Sequence, residues 1–108
     1  MPEPECSLTP LLTDPTRLSI VALLANSKWP EFSFVRDGVG ISDSALSKQV
    51  SLLEKSQYVE VKKGYVGKRP RTWINITRAG LQTLNHHIRA LQHIADQASK
   101  RLTPHQPP

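Results

Sequence analysis

From Leu81 onward, apolar side chains return in alternating steps of three and four: Leu81, Leu84, Ile88, Leu91, Ala95, Ala98 and Leu102. This is a seven-residue repeat held for about three heptads, and an α-helix puts such positions in one line. Thr77 stands just before it with a hydroxyl suited to capping, so the spacing predicts a helix over residues 78–102. At ~1.5 Å per residue that helix is roughly 35 Å long. The chain has 108 residues, enough for one domain with one modest core. So small a body cannot cover so long a stripe. The stripe either pairs with a second copy or folds back on the chain's own first helices, and its N-terminal half is expected to fold back in both cases. Leu84, Ile88, Leu91, Ala95, Ala98 and Leu102 are the expected subunit contacts. Leu8, Leu11 and Leu12, on a short apolar segment near the N-terminus, are expected to join them.

A second helix is legible at Ile41–Val59, and its two faces differ. Ser42 is placed to cap it, and Asp43 puts a negative charge at the positive end of its dipole. Leu46, Val50 and Leu53 recur at helical spacing, with Leu52 broadening the stripe. The opposite face carries Ser44, Ser47, Lys48 and Ser51. Short hydroxyls allow close backbone approach, and a lysine reaches base or phosphate oxygens, so this face suits a DNA major groove. An ordinary amphipathic helix with a solvated serine face fits the same pattern.

Upstream, Asp14-Pro15 reads as a helix start: a capping carboxylate, then proline where no N–H is needed. Leu18, Val21, Ala22 and Ala25 trace a buried face, widened by Ile20, Leu23 and Leu24. Trp29-Pro30 closes that helix, because the residue before proline is pushed out of helical geometry. Phe32 is expected in a short extended piece. Ser33 is expected to cap a brief helix ending at Gly38 and Gly40. Short helix, glycine turn and longer helix make a helix-turn-helix.

Downstream, Val59 and Val61 alternate with polar residues, as do Ile74 and Ile76 in Thr72–Thr77, predicting two strands. Gly64–Arg71, with two glycines and a proline, is expected to be an extended loop between them. From Glu60 to Thr72 one acid faces Lys62, Lys63, Lys68, Arg69 and Arg71. One-signed clustering favours a backbone or minor-groove contact over charges that merely keep an edge strand soluble.

The formal net charge of +5, from 14 Lys+Arg against 9 Asp+Glu, points to a polyanion or an anionic surface. The single cysteine, Cys6, excludes an internal disulfide and a cysteine-based metal site within one chain. No apolar run has spanning length and no signal-peptide pattern opens the chain, so a cytoplasmic protein without membrane association is expected. His86, His87 and His93 read as solvated helix histidines, with a zinc site across a dimer as the alternative. No Ser/His/Asp grouping or phosphate-cradling glycine motif is placed to act, so neither an enzyme, a resident metal nor a cofactor is expected.

Four segments together resemble the small MarR/ArsR-like winged-helix transcriptional regulators, in the subgroup of stand-alone DNA-binding domains. They are Asp-Pro-Thr-Arg-Leu at 14–18, Leu-Ser-Lys-Gln-Val-Ser-Leu-Leu-Glu at 46–54, Gly-Lys-Arg-Pro-Arg-Thr at 67–72 and Thr-Arg-Ala-Gly at 77–80. The resemblance covers about residues 11–84. It implies an α+β, mainly helical fold: a winged helix-turn-helix with a two-stranded wing and a long C-terminal dimerisation helix. Residues 1–7 would be a loose arm, 8–102 the domain, and 103–108 an unstructured tail. It implies a homodimer on a pseudo-palindromic operator in double-stranded DNA, acting in transcription and often in repression. Asp43, Ser44, Ser47 and Lys48 would face the groove, with Ser51 near a phosphate. Lys68, Arg69 and Arg71 would be wing contacts, or Arg71 would brace the wing from within. Other readings are a winged-helix adaptor or antagonist that binds protein, and a sensor with a small-molecule effector in the dimer cleft beside Trp29, Phe32 and the last helix. Two features depart from the pattern. Gln57 stands where a glycine usually ends the recognition helix, implying a left-handed turn costing on the order of 1 kcal/mol, or a different turn. The cysteine clusters of metal-sensing relatives are absent.

Overall fold

The computed structural model describes residues 8–102, and the side chains of residues 8–100. The expectations for the arm at 1–7 with Cys6, for the tail at 103–108 and for the Leu102 side chain fall outside the described residues. A short 3-10 helix, Pro10–Thr13, leads into helix α1, Pro15–Ala25. Asp14 starts α1: its carboxylate accepts the Arg17 N–H at 2.9 Å, and Pro15 occupies the first turn without losing a bond. At the far end, Asn26 Nδ2 and Ser27 Oγ donate to the carbonyls of Ala22 and Leu23, and the Asn26 N–H also donates to the Leu23 carbonyl, closing the last turn.

Helix α2 spans Phe32–Val39. It begins earlier than Ser33 capping would place it, and the extended residue is Glu31, which bridges to Trp73. Gly38 lies inside the helix. A Cβ there would come within 3.0 Å of Leu23 Cδ2, so glycine permits close packing on α1. Gly40 ends the helix with φ at 80°, a left-handed cap that glycine adopts without strain. Helix α3, Asp43–Lys55, starts where Ser42 Oγ accepts the Ala45 N–H at 3.1 Å. It is shorter than Ile41–Val59, because Val59 already belongs to a strand. Gln57 is left-handed (φ 66°), with its N–H on the Glu54 carbonyl and the Tyr58 N–H on the Leu53 carbonyl. That is a Schellman motif built on glutamine instead of glycine.

Strands β1, Val59–Val66, and β2, Arg69–Ile76, pair antiparallel with Val59 opposite Ile76 and Val66 opposite Arg69. The expected loop over Gly64–Arg71 is therefore a ribbon closed by Gly67 and Lys68 alone. Gly67 supplies a positive φ of 66° at the first central position, and a two-residue turn of that kind matches the twist of the strands. Helix α4 runs from Arg78 to Leu102.

The core gathers Leu12, Ile20, Val21, Leu24, Val35, Leu46, Val50, Leu53, Val59, Ile74 and Leu84 from every element. Leu52 does not extend the α3 stripe; it is exposed. Leu12 and Leu84, expected between subunits, are buried within the protomer at 0% and 3% exposure. Their spacing placed them on apolar faces, but the chain's own fold reaches them first. From Leu91 to Lys100 every described residue of α4 is exposed, so the helix leaves its own body after Ala90.

Candidate nucleic-acid interface

Packing of Leu46, Val50 and Leu53 into the core rotates α3 so that Ser44, Ser47, Lys48 and Ser51 face outward, all exposed. Asp43, in the first turn, is exposed as well. Its Oδ1 accepts from Arg36 Nη1 at 2.8 Å, while Arg36 Nε donates to Asp37 at 2.8 Å. Arg36 thus ties α2 to the start of α3 and offsets two carboxylates at its exposed end. The hydrogen bond from Arg36 holds the Asp37 carboxyl below its usual range. Nothing in the spacing of residues 36 and 43 announced this pair, since it depends on the angle of the turn.

Beside α3 lies a cleft of about 450 Å³ lined by Arg17, Lys48, Gln49, Ser51, Leu52 and Lys55. Arg17 is fixed there, with Nε donating to the Leu11 carbonyl at 2.7 Å and Nη1 to Gln49 Oε1 at 3.1 Å. Arg17 and Lys55 join Lys48 as cations on this surface. A helical-wheel reading of α3 could have included Lys55, but Arg17 comes from another helix.

The three wing cations are placed differently. Lys68 sits in the turn and Arg69 next to it, both exposed. Arg71 turns inward: its Nη1 donates to Glu31 Oε1 at 2.8 Å, and its Nε is buried without a partner. The pair locks β2 to the residue preceding α2. Trp29 strengthens the same joint. It adopts a left-handed φ of 47°, rare for a bulky side chain, and its N–H donates to Asn75 Oδ1 at 3.3 Å. The Lys62 ammonium lies 4.6 Å from its ring centre, and the Ile74 N–H donates to the Pro30 carbonyl. A cleft of about 290 Å³ is walled by Arg36 and Asp43 on one side and Pro70, Arg71 and Thr72 on the other. The start of α3 and the outer part of the wing therefore border one surface.

His87 is not solvated. It is 1% exposed, and its Nδ1 accepts the Thr9 N–H at 3.0 Å, fastening the N-terminal segment to α4. Burial first, and the neighbouring His86 second, push its imidazole below the ordinary value. Among the described residues no group of three or more His, Cys, Asp or Glu could hold a metal ion, and no helix is long and apolar enough to cross a membrane. Among the described residues of α4 the exposed large apolar side chains are Leu81, Ile88, Leu91 and Ile94. Ile94, outside the strict repeat, was not among the expected contacts.

A short helix, a glycine-ended turn, a longer helix with an outward polar face and a two-stranded cationic wing define a winged helix-turn-helix domain. The chain belongs to the winged helix DNA-binding domain family, whose model matches residues 16–95. It is 31% identical over 72 residues to the uncharacterized protein MJ0432 of Methanocaldococcus jannaschii, covering 67% of this chain and 78% of that one. Among solved structures it is similar to the transcriptional regulator homologue of Pyrococcus horikoshii OT3, with 24% identity, a TM-score of 0.77 and coverage of 83% of this chain and 89% of that one. It is also similar to the transcriptional regulator MosR of M. tuberculosis, solved in complex with DNA, at 16% identity and a TM-score of 0.67, covering 89% and 68% of the two chains. At these identities the structural likeness is one of fold, and the fold is MarR-like.

Proposed function

We propose that this protein is a transcriptional regulator, acting as a repressor, that binds duplex DNA as a homodimer on a pseudo-palindromic operator in the cytoplasm. The observation that carries the reading is the shared surface. Asp43 at the start of α3 and Pro70 of the wing line one cleft; in this reading the exposed Ser44, Ser47, Lys48 and Ser51 continue the surface from one wall and the exposed Lys68 and Arg69 from the other. In this reading α3 enters the major groove, with Asp43, Ser44, Ser47 and Lys48 at base edges and Ser51 near a phosphate. Lys68 and Arg69 neutralise backbone phosphates, and Arg71 holds the wing at its angle. The fold shared with a regulator solved on DNA supports the same partner.

The homodimer reading rests on α4. Leu81, Ile88, Leu91 and Ile94 expose an apolar stripe that continues past the end of the protomer's own body, and Ala95 and Ala98 extend it. Exposed apolar side chains in that register bury themselves against a second helix of the same kind. Two copies so joined would present their α3 helices to half-sites roughly 34–36 Å apart.

Equilibrium binding to duplex DNA over a salt series tests the proposal. Binding constants should fall steeply with salt, because each neutralised phosphate releases counterions. Lys48→Ala should flatten sequence preference, and Lys68→Ala should weaken all sequences alike while reducing the salt slope by about 1. Leu91→Glu should give monomers by sedimentation and lose operator binding. Salt-independent binding, or a monomeric wild type, would defeat the reading.

A further inference from the structure

We infer that the wing tip carries an apolar wedge, Tyr65 with Pro70, that packs into the minor groove of duplex DNA. The inference rests on the DNA-binding reading above and adds a contact of a different physical kind. The ribbon's register defines it. Alternate residues of a strand share a face, so Val59, Val61, Lys63 and Tyr65 lie on one side of β1, opposite Ile76, Ile74, Thr72 and Pro70. At the base of the wing this face is core: Val59 is 2% exposed and Ile74 is fully buried. Towards the tip the helices no longer cover it. Tyr65, opposite Pro70, is 73% exposed, and Pro70 is exposed too.

No folding role accounts for a ring there. The turn beyond it is made by Gly67 and Lys68, and the wing is braced from its other face by Arg71 on Glu31 and Lys62 on Trp29. Removing Tyr65 would leave each of these intact. What surrounds it is cationic: Lys63 shares its face, and Lys68 and Arg69 close the hairpin within four residues. An apolar wedge inside a ring of cations is matched by a narrow groove bounded by two rows of phosphates. The minor groove, about 6 Å wide, admits a flat ring and a proline edge but no helix. There the ring packs on sugar edges or a partly opened base step, and the phenol O–H reaches acceptors that all A·T pairs present. Lys68 and Arg69 hold the flanking phosphates. Val66, also exposed, points to the opposite face and cannot share the slot.

An apolar contact releases no counterions, so its loss separates cleanly from the loss of a charge. The test uses the full chain and a duplex selected by the wild type, titrated over a salt series with wild type, Tyr65→Ala, Tyr65→Phe and Lys68→Ala. Tyr65→Ala should bind roughly 5- to 30-fold more weakly at every salt concentration, with an unchanged slope, as expected for one ring against nucleotide surface. Tyr65→Phe should retain most of the affinity. Replacing adenines under the wing with 2,6-diaminopurine, which adds an amino group only in the minor groove, should weaken the wild type and have little further effect on Tyr65→Ala. Wild-type affinity in Tyr65→Ala, or a wild type indifferent to diaminopurine, overturns the wedge while leaving DNA binding standing. A wild type that selects no duplex overturns both.

Discussion

Gly80 is where a single methyl group should do measurable harm. It is the third residue of α4, and its N–H donates to Thr77 Oγ1 at 2.9 Å in the capping turn. A Cβ at this position would overlap the Tyr58 carbonyl oxygen, and would lie 2.9 Å from Ile76 Cγ1 and 3.0 Å from the Tyr58 carbonyl carbon. Carbon atoms in comfortable contact sit about 3.5–4.0 Å apart, so α4 would have to retreat by on the order of 1 Å. It is not free to do so. The Tyr58 carbonyl accepts the Thr77 N–H at 2.9 Å, and Thr77 Oγ1 donates to the Gln57 carbonyl at 2.8 Å. The obstruction is backbone, which cannot swing aside as a side chain would. Forcing a methyl into a tight joint costs about 1–3 kcal/mol, and the better helix propensity of alanine returns at most about 1 kcal/mol. Gly80→Ala should therefore lose on the order of 1–2 kcal/mol, a fall in Tm of roughly 4–15 °C for a domain of this size. Urea unfolding at fixed protein concentration measures it, with an unchanged m-value showing that the same structure unfolds. Gly38→Ala serves as a contrast: its nearest neighbour is the flexible end of Leu23 at 3.0 Å, which can yield. A Gly80→Ala protein as stable as wild type would show that α4 does not press on the Tyr58 backbone, and the geometry assigned to this joint would be wrong.

Three further outcomes follow from other contacts. Gln57→Gly should raise stability by about 0.5–1 kcal/mol in the same unfolding assay, since it removes a left-handed non-glycine residue from the end of α3 at some cost in unfolded-chain entropy. The His87 imidazole is held neutral below its ordinary value of 6.5, so the unfolded chain takes up the proton first as pH falls. The stabilisation it contributes is complete above that value and is lost as pH drops from there through the lower folded value, and His87→Leu should flatten this part of the stability–pH curve. Arg71→Ala should cost about 0.5–1 kcal/mol, discounted because its pair with Glu31 is half exposed, whereas Lys68→Ala should leave unfolding unchanged; equal effects on stability would contradict the different places given to the two cations.

Local pattern carried much of the architecture. Asp14-Pro15, Ser42 and Thr77 are caps because capping needs only a side-chain oxygen within three residues of a free N–H, and all three make that bond. Leu46, Val50 and Leu53 are buried as their periodicity required, and this turned Ser44, Ser47, Lys48 and Ser51 outward. The left-handed Gln57 was one of two turns that the family resemblance left open, and the packing of α3 against the strand that follows chose it. The wing's strands were visible in Val59, Val61, Ile74 and Ile76. Their length was not, because pairing across the hairpin draws Gly64 and Pro70 into register despite their poor strand propensity.

Periodicity alone established a long helix with an apolar stripe. It could not say where the chain's own body stops covering that stripe, because spacing along a helix carries no information about what packs on it. Tertiary contact decided that Leu12 and Leu84 belong inside and that Ile88, Leu91 and Ile94 stay open. It also decided that His87 is a buried latch on Thr9, that Arg71 reaches Glu31, and that Arg36 reaches Asp43. These partners are 78, 40 and 7 residues apart in the chain. Each pair depends on how helices and ribbon are stacked, which is a property of the whole core and of no single segment.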